Sequence, residues 1–375
     1  MRIAINTRLL LKGKMDGIGW FTAETARRMV LAHPEHTFFF FFDRKPDKEF
    51  IFADNIRPVV LCPQARHPVL WHMFFQWAVP YALKKYKIDL FLSPDGFIPL
   101  HTKVPTLTVI HDLNFEHADG NLKGPHQRYM THYFRQFAHN ATRVATVSEY
   151  SKKDIEATYG IDGTKIDVVY DGSHPGYQPH SEEEKLATRQ RFTSGCPYII
   201  FVSTILKRKN LANLLTAFEQ VKSTEPGNLK LVVVGSKVWW QDELAEAYDK
   251  MTHKADVIMP GHVDAKELAA LMSASEALVY PSYFEGFGIP ILEAMYAETA
   301  VICSNTTSMP EVGGDAVLYI DPHSTEDIAH AIKDIQQPDV RNALIEKGRL
   351  QRTKYSWERT ANLLWTSMMH TIGNE

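Results

Sequence analysis

Three cysteines are present among 375 residues, Cys62, Cys196 and Cys303, and they form no Cys-x-x-Cys pair. An odd, scattered set argues against a disulfide scaffold or a structural zinc and suits a reducing compartment. No run of 18 apolar residues occurs, so no segment of the sequence reads as a membrane-spanning helix. The opening MRIAINTRLL lacks the long apolar core and small-residue cleavage site of a signal peptide. Asp-x-Asp, a common seat for a divalent cation, is missing, as are His-Glu-x-x-His, the P-loop and Gly-x-Ser-x-Gly. The expectation is of neither a metal nor an activated nucleophile. A basic surplus is missing too: 41 Lys and Arg stand against 44 Asp and Glu, net −3, which gives no reason to expect nucleic acid. There is no short-period repeat and no low-complexity segment.

What is present is ordinary in amount, 45% hydrophobic and 23% charged, and a length that favours two domains. Charge is unevenly placed. Residues 1–170 carry 22 Lys and Arg against 17 Asp and Glu, a surplus of 5, and residues 171–375 carry 19 against 27, a deficit of 8. A mildly basic half suits phosphates or an anionic membrane, or is plain solvated surface. In the first half IAIN, FFFFF, PVVLC, DLFLS, TLTVI and RVATVS read as strands, alternating with helical stretches such as GWFTAETARRMVLAH and GPHQRYMTHYFRQFAHN. The five phenylalanines at 38–42 are too short to cross a bilayer and read as a strand buried on both faces. Alternation stops at 167–192, the expected interdomain connection. It restarts with PYIIFVS, LKLVVVG, ADVIM, EALVYPS, TAVICS and AVLYI. The pattern predicts an α/β chain of two doubly wound parallel sheets, with domains at 1–170 and 171–355 and a last helix in 356–375. Such sheets bind ligands beyond the carboxyl ends of their strands, so a ligand is expected in a cleft between two of them.

The segment YPSYFEGFGIPILEAMYAE, residues 280–298, fits such a place. It reads as a strand, a loop holding Glu285, Gly286, Phe287 and Gly288, and a helix carrying Glu293. The glycines let backbone approach a ligand, and Pro290 suits a first helical turn. Free N–H groups there attract phosphate. Glu293, a turn into the helix, can accept hydrogen bonds from a ribose diol, and Glu285 can reach the far end of the same ligand. A nucleoside diphosphate sugar has that order of groups. The plainer alternative is a tight strand–helix turn with Glu293 on the helix dipole and Glu285 exposed.

Three weaker signals accompany it. Arg208 and Lys209 lie between a strand end and a helix start, where they neutralise a diphosphate or form a solvated charge run. KGKMDGIGWF, residues 12–21, reads as a glycine loop before the first helix, with Gly17 and Gly19, but forms no dinucleotide fingerprint. His111 and Asp112 sit at the end of TLTVI, facing the cleft or forming a local turn.

Together, in this order, these signals resemble the group 1 glycosyltransferases of sequence family 4, whose fold is GT-B. The likeness covers essentially the whole chain and is most specific at YPSYFEGFGIPILEAM, which is similar to that family's glutamate, seven residues, glutamate motif. VSTILKRKN, LVVVGS and SNTTSMPEVGGDAVLYIDP match its donor domain, and GIGWF, VIHDL and TVSEYSKKDI match landmarks of the first. The resemblance implies a retaining, metal-independent transfer of a hexose from a GDP- or UDP-linked donor to a glycan or lipid-linked acceptor, in cell-surface polysaccharide or glycolipid synthesis. No other cofactor is implied. It assigns Arg208 and Lys209, with the backbone of Gly286 to Gly288, to the diphosphate, Glu285 to the sugar and Glu293 to the ribose. It places His111 beside the sugar and has Gly17 and Gly19 close over the phosphates, and Gly235, Val263 and Phe287 shape the choice of base and hexose. The last helix resembles the one that crosses back onto the first domain. Two departures stand out: Ser203 and Thr204 where the family has glycine and often arginine, and Glu298 and Ala300 where it has glycine and proline. A catalytically silent nucleotide-sugar-binding protein and a nucleotide-sugar epimerase on the same fold remain open alternatives.

The expected location is the cytoplasm. HPVLWHMFFQWAVPYALKKYK, residues 67–87, carries aromatics followed by Lys84, Lys85 and Lys87. It reads either as an interfacial helix giving peripheral contact with the inner membrane face, or as a core segment into which Trp71, Phe74, Phe75 and Trp77 pack.

Overall fold

Short β-rich runs bounded by helices can bury both faces only as a parallel sheet with helices on each side, and the chain builds two such sheets. The computed structural model describes residues 1–117, 124–235, 240, 242–261 and 263–373. The first sheet has seven strands: β1 (Arg2–Asn6), β2 (Thr37–Phe42), β3 (Ile56–Val60), β4 (Leu90–Ser93), β5 (Thr106–Val109), β6 (Arg143–Thr146) and β7 (Ile166–Val168). Its order is β3-β2-β1-β4-β5-β6-β7, parallel throughout. The second has β8 (Tyr198–Val202), β9 (Lys230–Val234), β10 (Val257–Gly261), β11 (Ala277–Tyr280), β12 (Ala300–Ser304) and β13 (Leu318–Ile320), in the order β10-β9-β8-β11-β12-β13, also parallel. Both orders are Rossmann-like, reversing direction between the first and fourth strands.

The chain divides into two compact units, residues 1–172 with 356–375, and residues 173–355. The last helix, Trp357–Thr371, is therefore part of the first unit. Phe21 of the first helix, Gly17–Ala32, meets Trp357 edge-on at 6.1 Å. A Cβ on Gly172 would lie 2.5 Å from the Trp357 backbone nitrogen, so only glycine fits where the chain leaves this unit.

β2 lies between β1 and β3, and its five phenylalanines are buried on both faces. Phe39 and Phe41 join the larger core with Phe74, Phe75 and Phe91, and Phe38 on the other face reaches Trp365 of the last helix at 6.5 Å. The 67–87 segment divides its aromatics. Phe74 and Phe75 are fully buried, Trp71 packs against the core with its indole N–H on the Ala65 carbonyl, and Trp77 and Tyr81 are 63% and 67% exposed. The segment is a helix with a π-turn over Phe74–Ala78, just ahead of Pro80, which has no N–H to continue the α-pattern.

The expected connection, 167–192, is more ordered than its composition suggested. It contains the end of edge strand β7 and the helix Glu182–Thr193, leaving 169–181 irregular. That helix is started by a capping box, Ser181 with Glu184, and has almost no apolar stripe, so hydrophobic periodicity gave no sign of it.

Candidate active site

In the second unit the sheet order reverses between β8 and β11, so the loops leaving those strands splay apart and open a crevice. The loop after β8 ends in the short turn Lys207–Lys209, then Asn210 in a left-handed conformation, then the helix Leu211–Thr224. The Asn210 amide donates to the carbonyls of Pro281 and Pro322, at 3.0 and 2.7 Å, tying this loop to those after β11 and β13. The Tyr283 N–H donates to the Arg208 carbonyl at 2.8 Å. Backbone bonds thus fix the two loops before any charge is considered.

The charges then converge. Lys209 Nζ donates to Glu285 Oε1 at 2.5 Å and to the Tyr280 hydroxyl at 2.9 Å. Arg208 Nη1 donates to Glu285 Oε2 at 3.2 Å and to the Phe284 carbonyl at 2.9 Å. Lys209 and Glu285 are 7% and 6% exposed, so this is a buried triad rather than a solvated charge run. Burial alone pushes the Glu285 carboxyl up, but the Lys209 ammonium and then the Arg208 guanidinium outweigh it and hold it at about 2. Burial, and then the Glu285 charge, push the Tyr280 phenol well above its usual range, so it remains a neutral partner. At neutral pH Glu285 can only accept hydrogen bonds, and two cations stand behind it.

The turn after Glu285 is held by Ser308, whose hydroxyl donates to the carbonyls of Glu285 and Phe287 at 2.9 and 3.0 Å. Gly288 has φ 100° and opens the helix Ile289–Tyr296 without a side-chain cap, and Pro290 occupies its first turn. Glu293 is half-buried on that helix. Burial pushes its carboxyl up to about 7, against an opposing hydrogen bond from the Tyr177 hydroxyl. Gly235, at the end of β9, is required by packing: a Cβ there would lie 1.8 Å from the Ser203 carbonyl oxygen. Val263 is half-buried just past β10. Phe287 lies in the turn after Glu285. Its ring is 3% exposed and meets Tyr355 edge-on at 5.4 Å, so it is committed to packing and offers a ligand only its backbone.

Gly17, Gly19 and His111 belong to the first unit. Gly17 and Gly19 are not in a loop, as the sequence suggested, but in the first turn of the helix Gly17–Ala32. Asp16 starts that helix early by accepting the Gly19 N–H at 2.9 Å. Gly19 also lies against neighbouring chain, since its Cβ would be 3.1 Å from the Leu9 carbonyl oxygen. His111 follows β5, and its Nε2 lies 2.8 Å from the Pro94 carbonyl. A carbonyl can only accept, so Nε2 carries the proton and Nδ1 is the basic nitrogen. Burial pushes His111 below its ordinary pKa, which keeps it neutral, and Phe21 packs edge-on against it at 4.9 Å. Asp112 turns away to cap Asn114 at 3.0 Å.

The sequence reading missed Tyr280 and Tyr177. Tyr280 stood inside the motif, with nothing to separate it from a core tyrosine. Tyr177 lies over a hundred residues from Glu293 and left no local signal. One departure is now explained: Glu298 has φ 56°, the conformation glycine takes freely, and Arg349 forks onto its carboxylate at 2.9 and 2.6 Å.

Two family models match the chain, glycosyl transferases group 1 over residues 182–351 and glycosyltransferase family 4 over residues 15–176. An O-antigen chain mannosyltransferase B of Escherichia coli is 28% identical over 361 residues, covering 93% of this chain and 94% of the relative. The O-antigen chain mannosyltransferase RfbU of Salmonella typhimurium is 28% identical over 72% of each chain. Among solved structures, sucrose-phosphate synthase from Thermosynechococcus elongatus superimposes with TM-score 0.77 at 18% identity over 100% of both chains. WaaG, a glycosyltransferase involved in lipopolysaccharide biosynthesis, gives 0.74 at 16% identity over 98% of this chain and 99% of its own.

Proposed function

Because the chain belongs to the group 1 glycosyltransferases and has the GT-B fold, we propose that it transfers a hexose, mannose by the example of its relatives, from a nucleoside diphosphate sugar to a growing polysaccharide of the O-antigen kind. The observation that carries this is the buried triad of Arg208, Lys209 and Glu285 at the switch point between β8 and β11.

Departure of a nucleoside diphosphate places negative charge on the leaving oxygens, and fixed cations in a water-poor site stabilise it without reorganising. Arg208 and Lys209 supply that charge, together with backbone N–H groups at the Gly286–Gly288 turn. With these cations in place and no Asp-x-Asp in the sequence, the transfer is assigned a metal-independent course. Glu285, held ionised, accepts sugar hydroxyls and fixes the ring; it is not the proton donor. Glu293 accepts the ribose hydroxyls once Tyr177 yields. On the family resemblance alone we assign His111, whose Nδ1 is the basic nitrogen, to the sugar and the helix start at Gly17 and Gly19 to the phosphates. Retention at the anomeric carbon rests on the family alone and is read by NMR of the product. Purified protein given a panel of GDP- and UDP-sugars should bind and turn over GDP-mannose. A panel with no binding and no transfer refutes the reading, and donor isomerisation without an acceptor replaces it with an epimerase.

We further propose that the acceptor is met at a membrane surface. Exposed Trp77 and Tyr81 border a groove of about 500 Å³ that also includes Leu61, Met73, Lys85 and Tyr86, and Lys84 is exposed beside it. Among the described residues no helix is long and apolar enough to cross a membrane, so contact would be peripheral. Flotation with anionic liposomes at low salt should carry the protein upward, and Trp77→Ser should reduce it; protein left at the bottom refutes the contact.

A further inference from the structure

The turn that joins the first helix to β2 reads His33-Pro34-Glu35-His36. His33 caps the helix, its N–H on the Met29 carbonyl, and the His36 N–H closes the turn on the His33 carbonyl at 3.2 Å. This folding lays the two imidazoles nearly parallel, 5.9 Å apart with 11° between their planes. Glu35 Oε1 lies 3.5 Å from His33 Nδ1 and 3.4 Å from His36 Nε2. One donor atom from each of the three residues falls within 4.8 Å of the others. Trp365, from the last helix, covers the pair: its ring stacks on His33 at 3.5 Å and 11°, and lies 5.4 Å from His36.

A zinc ion bound at about 2.0–2.1 Å by nitrogen and oxygen holds its tetrahedral ligands about 3.3–3.5 Å apart. Both imidazole–carboxylate separations already lie in that range, and the two half-buried imidazoles, with donor atoms within 4.8 Å, close on the ion by small rotations, while Glu35 is exposed and free to follow. Two imidazoles and a carboxylate suit zinc rather than magnesium or calcium, and three protein ligands leave a fourth position for water. Met1's terminal nitrogen lies 3.3 Å from His36 Nδ1, on the ring nitrogen that faces away from Glu35.

We propose that His33, Glu35 and His36 form a binding site for a divalent metal ion of the zinc class, roofed by Trp365. Nothing in the transfer reaction uses these residues. The site precedes β2 and lies at the amino ends of the strands, whereas His111 lies past the carboxyl end of β5. A metal here clamps the end of the first helix beneath the last one and acts on the stability of the first unit. It goes against the expectation of no metal, which rested on Asp-x-Asp, paired cysteines and His-Glu-x-x-His; His-Pro-Glu-His matches none of these.

The test uses untagged full-length protein stripped by chelator. Titration calorimetry with zinc chloride should show one equivalent bound in the micromolar range or tighter, with a rise in Tm that chelator reverses. Copper(II) should quench part of the tryptophan emission, chelator should restore it, prior zinc loading should raise the copper concentration needed, and Trp365→Phe should remove that part. His33→Gln and His36→Gln should each weaken zinc binding at least tenfold. Glu35 is well exposed, so Glu35→Gln leaves the fold intact and should weaken binding too. Zinc affinity and copper quenching unchanged in the His33→Gln/His36→Gln double variant would place any binding on other histidines and overturn the proposal. Absence of stoichiometric binding at about 100 μM zinc would overturn it as well.

Discussion

Glu285 and Glu293 stand eight residues apart and are driven in opposite directions by their surroundings. Glu285, held at about 2 in the fold, stabilises the protein above the unfolded carboxylate range, and that contribution is lost as pH falls from about 4.5 toward 2. Glu293, raised to about 7, does the reverse: it carries no penalty below about 4.5, an increasing one up to 7, and the full one above. Glu293→Gln should therefore leave Tm unchanged near pH 4 and raise it at pH 8, an effect on the order of 1–3 kcal/mol. The same variant should weaken nucleoside diphosphate binding, because an amide accepts ribose hydroxyls less well than a carboxylate. Thermal melts from pH 4 to 8 with calorimetry at pH 8 check both, and a gap that does not widen between pH 5 and 7 contradicts the assignment. For the triad, Lys209→Ala should weaken nucleoside diphosphate binding at least tenfold, since a charge-assisted hydrogen bond contributes about 1.5–3 kcal/mol. It should also cost stability, because Glu285 is left buried with one partner fewer. Glu285→Gln should cut turnover far more than nucleotide affinity, as measured by initial rates beside calorimetry.

The elements that position these residues depend on a few tight approaches. Where β8 and β9 end, the Ser203 carbonyl fills the space a Cβ on Gly235 would need. Gly235→Ala should lower stability in urea by about 2–4 kcal/mol and weaken nucleotide binding in parallel, because the displaced loop carries Arg208 and Lys209. Equal affinity in a destabilised variant would separate that loop from the nucleotide. The element scale also shows what a sequence can disclose. Buried parallel strands are continuous apolar runs, so six strands in each half, β2 included, were legible from composition and spacing. β7 was not, being Ile-Asp-Val with a charged residue at its centre, nor was the helix Glu182–Thr193, whose exposed face gives no period. Arg208, Lys209 and Glu285 were legible because each stands where a strand ends. Gly17 and Gly19 were misplaced because glycine usually signals a loop, whereas here Asp16 capped the helix first. That the Phe287 ring packs inward, leaving its backbone to the turn, was not legible, because position in the motif says nothing of where a ring points. Tyr177 was invisible, since its relation to Glu293 exists only in three dimensions.

At the scale of the whole molecule, the first unit is discontinuous in sequence. Residues 356–375 complete it, with Trp357 against Phe21 and Trp365 against His33 and Phe38. A chain ending at residue 355 should therefore lose hydrogen-exchange protection in residues 17–42, while β8 to β13 of the second unit keep theirs; protection retained in 17–42 would show that the last helix is dispensable. The order of synthesis gives this a further meaning. A ribosome delivers the first helix and β2 early, but the last helix, which packs on the first helix and on β4 to β6 and whose Trp365 meets Phe38, emerges only after the entire second unit. At 5–20 residues per second, a gap of roughly 180 residues is on the order of 10–40 s. During that interval the face of the first unit that the last helix will cover, the first helix with β4 to β6 and Phe38, stands open, so a delay in translating the second unit prolongs the time in which the first is exposed to chaperones or to aggregation.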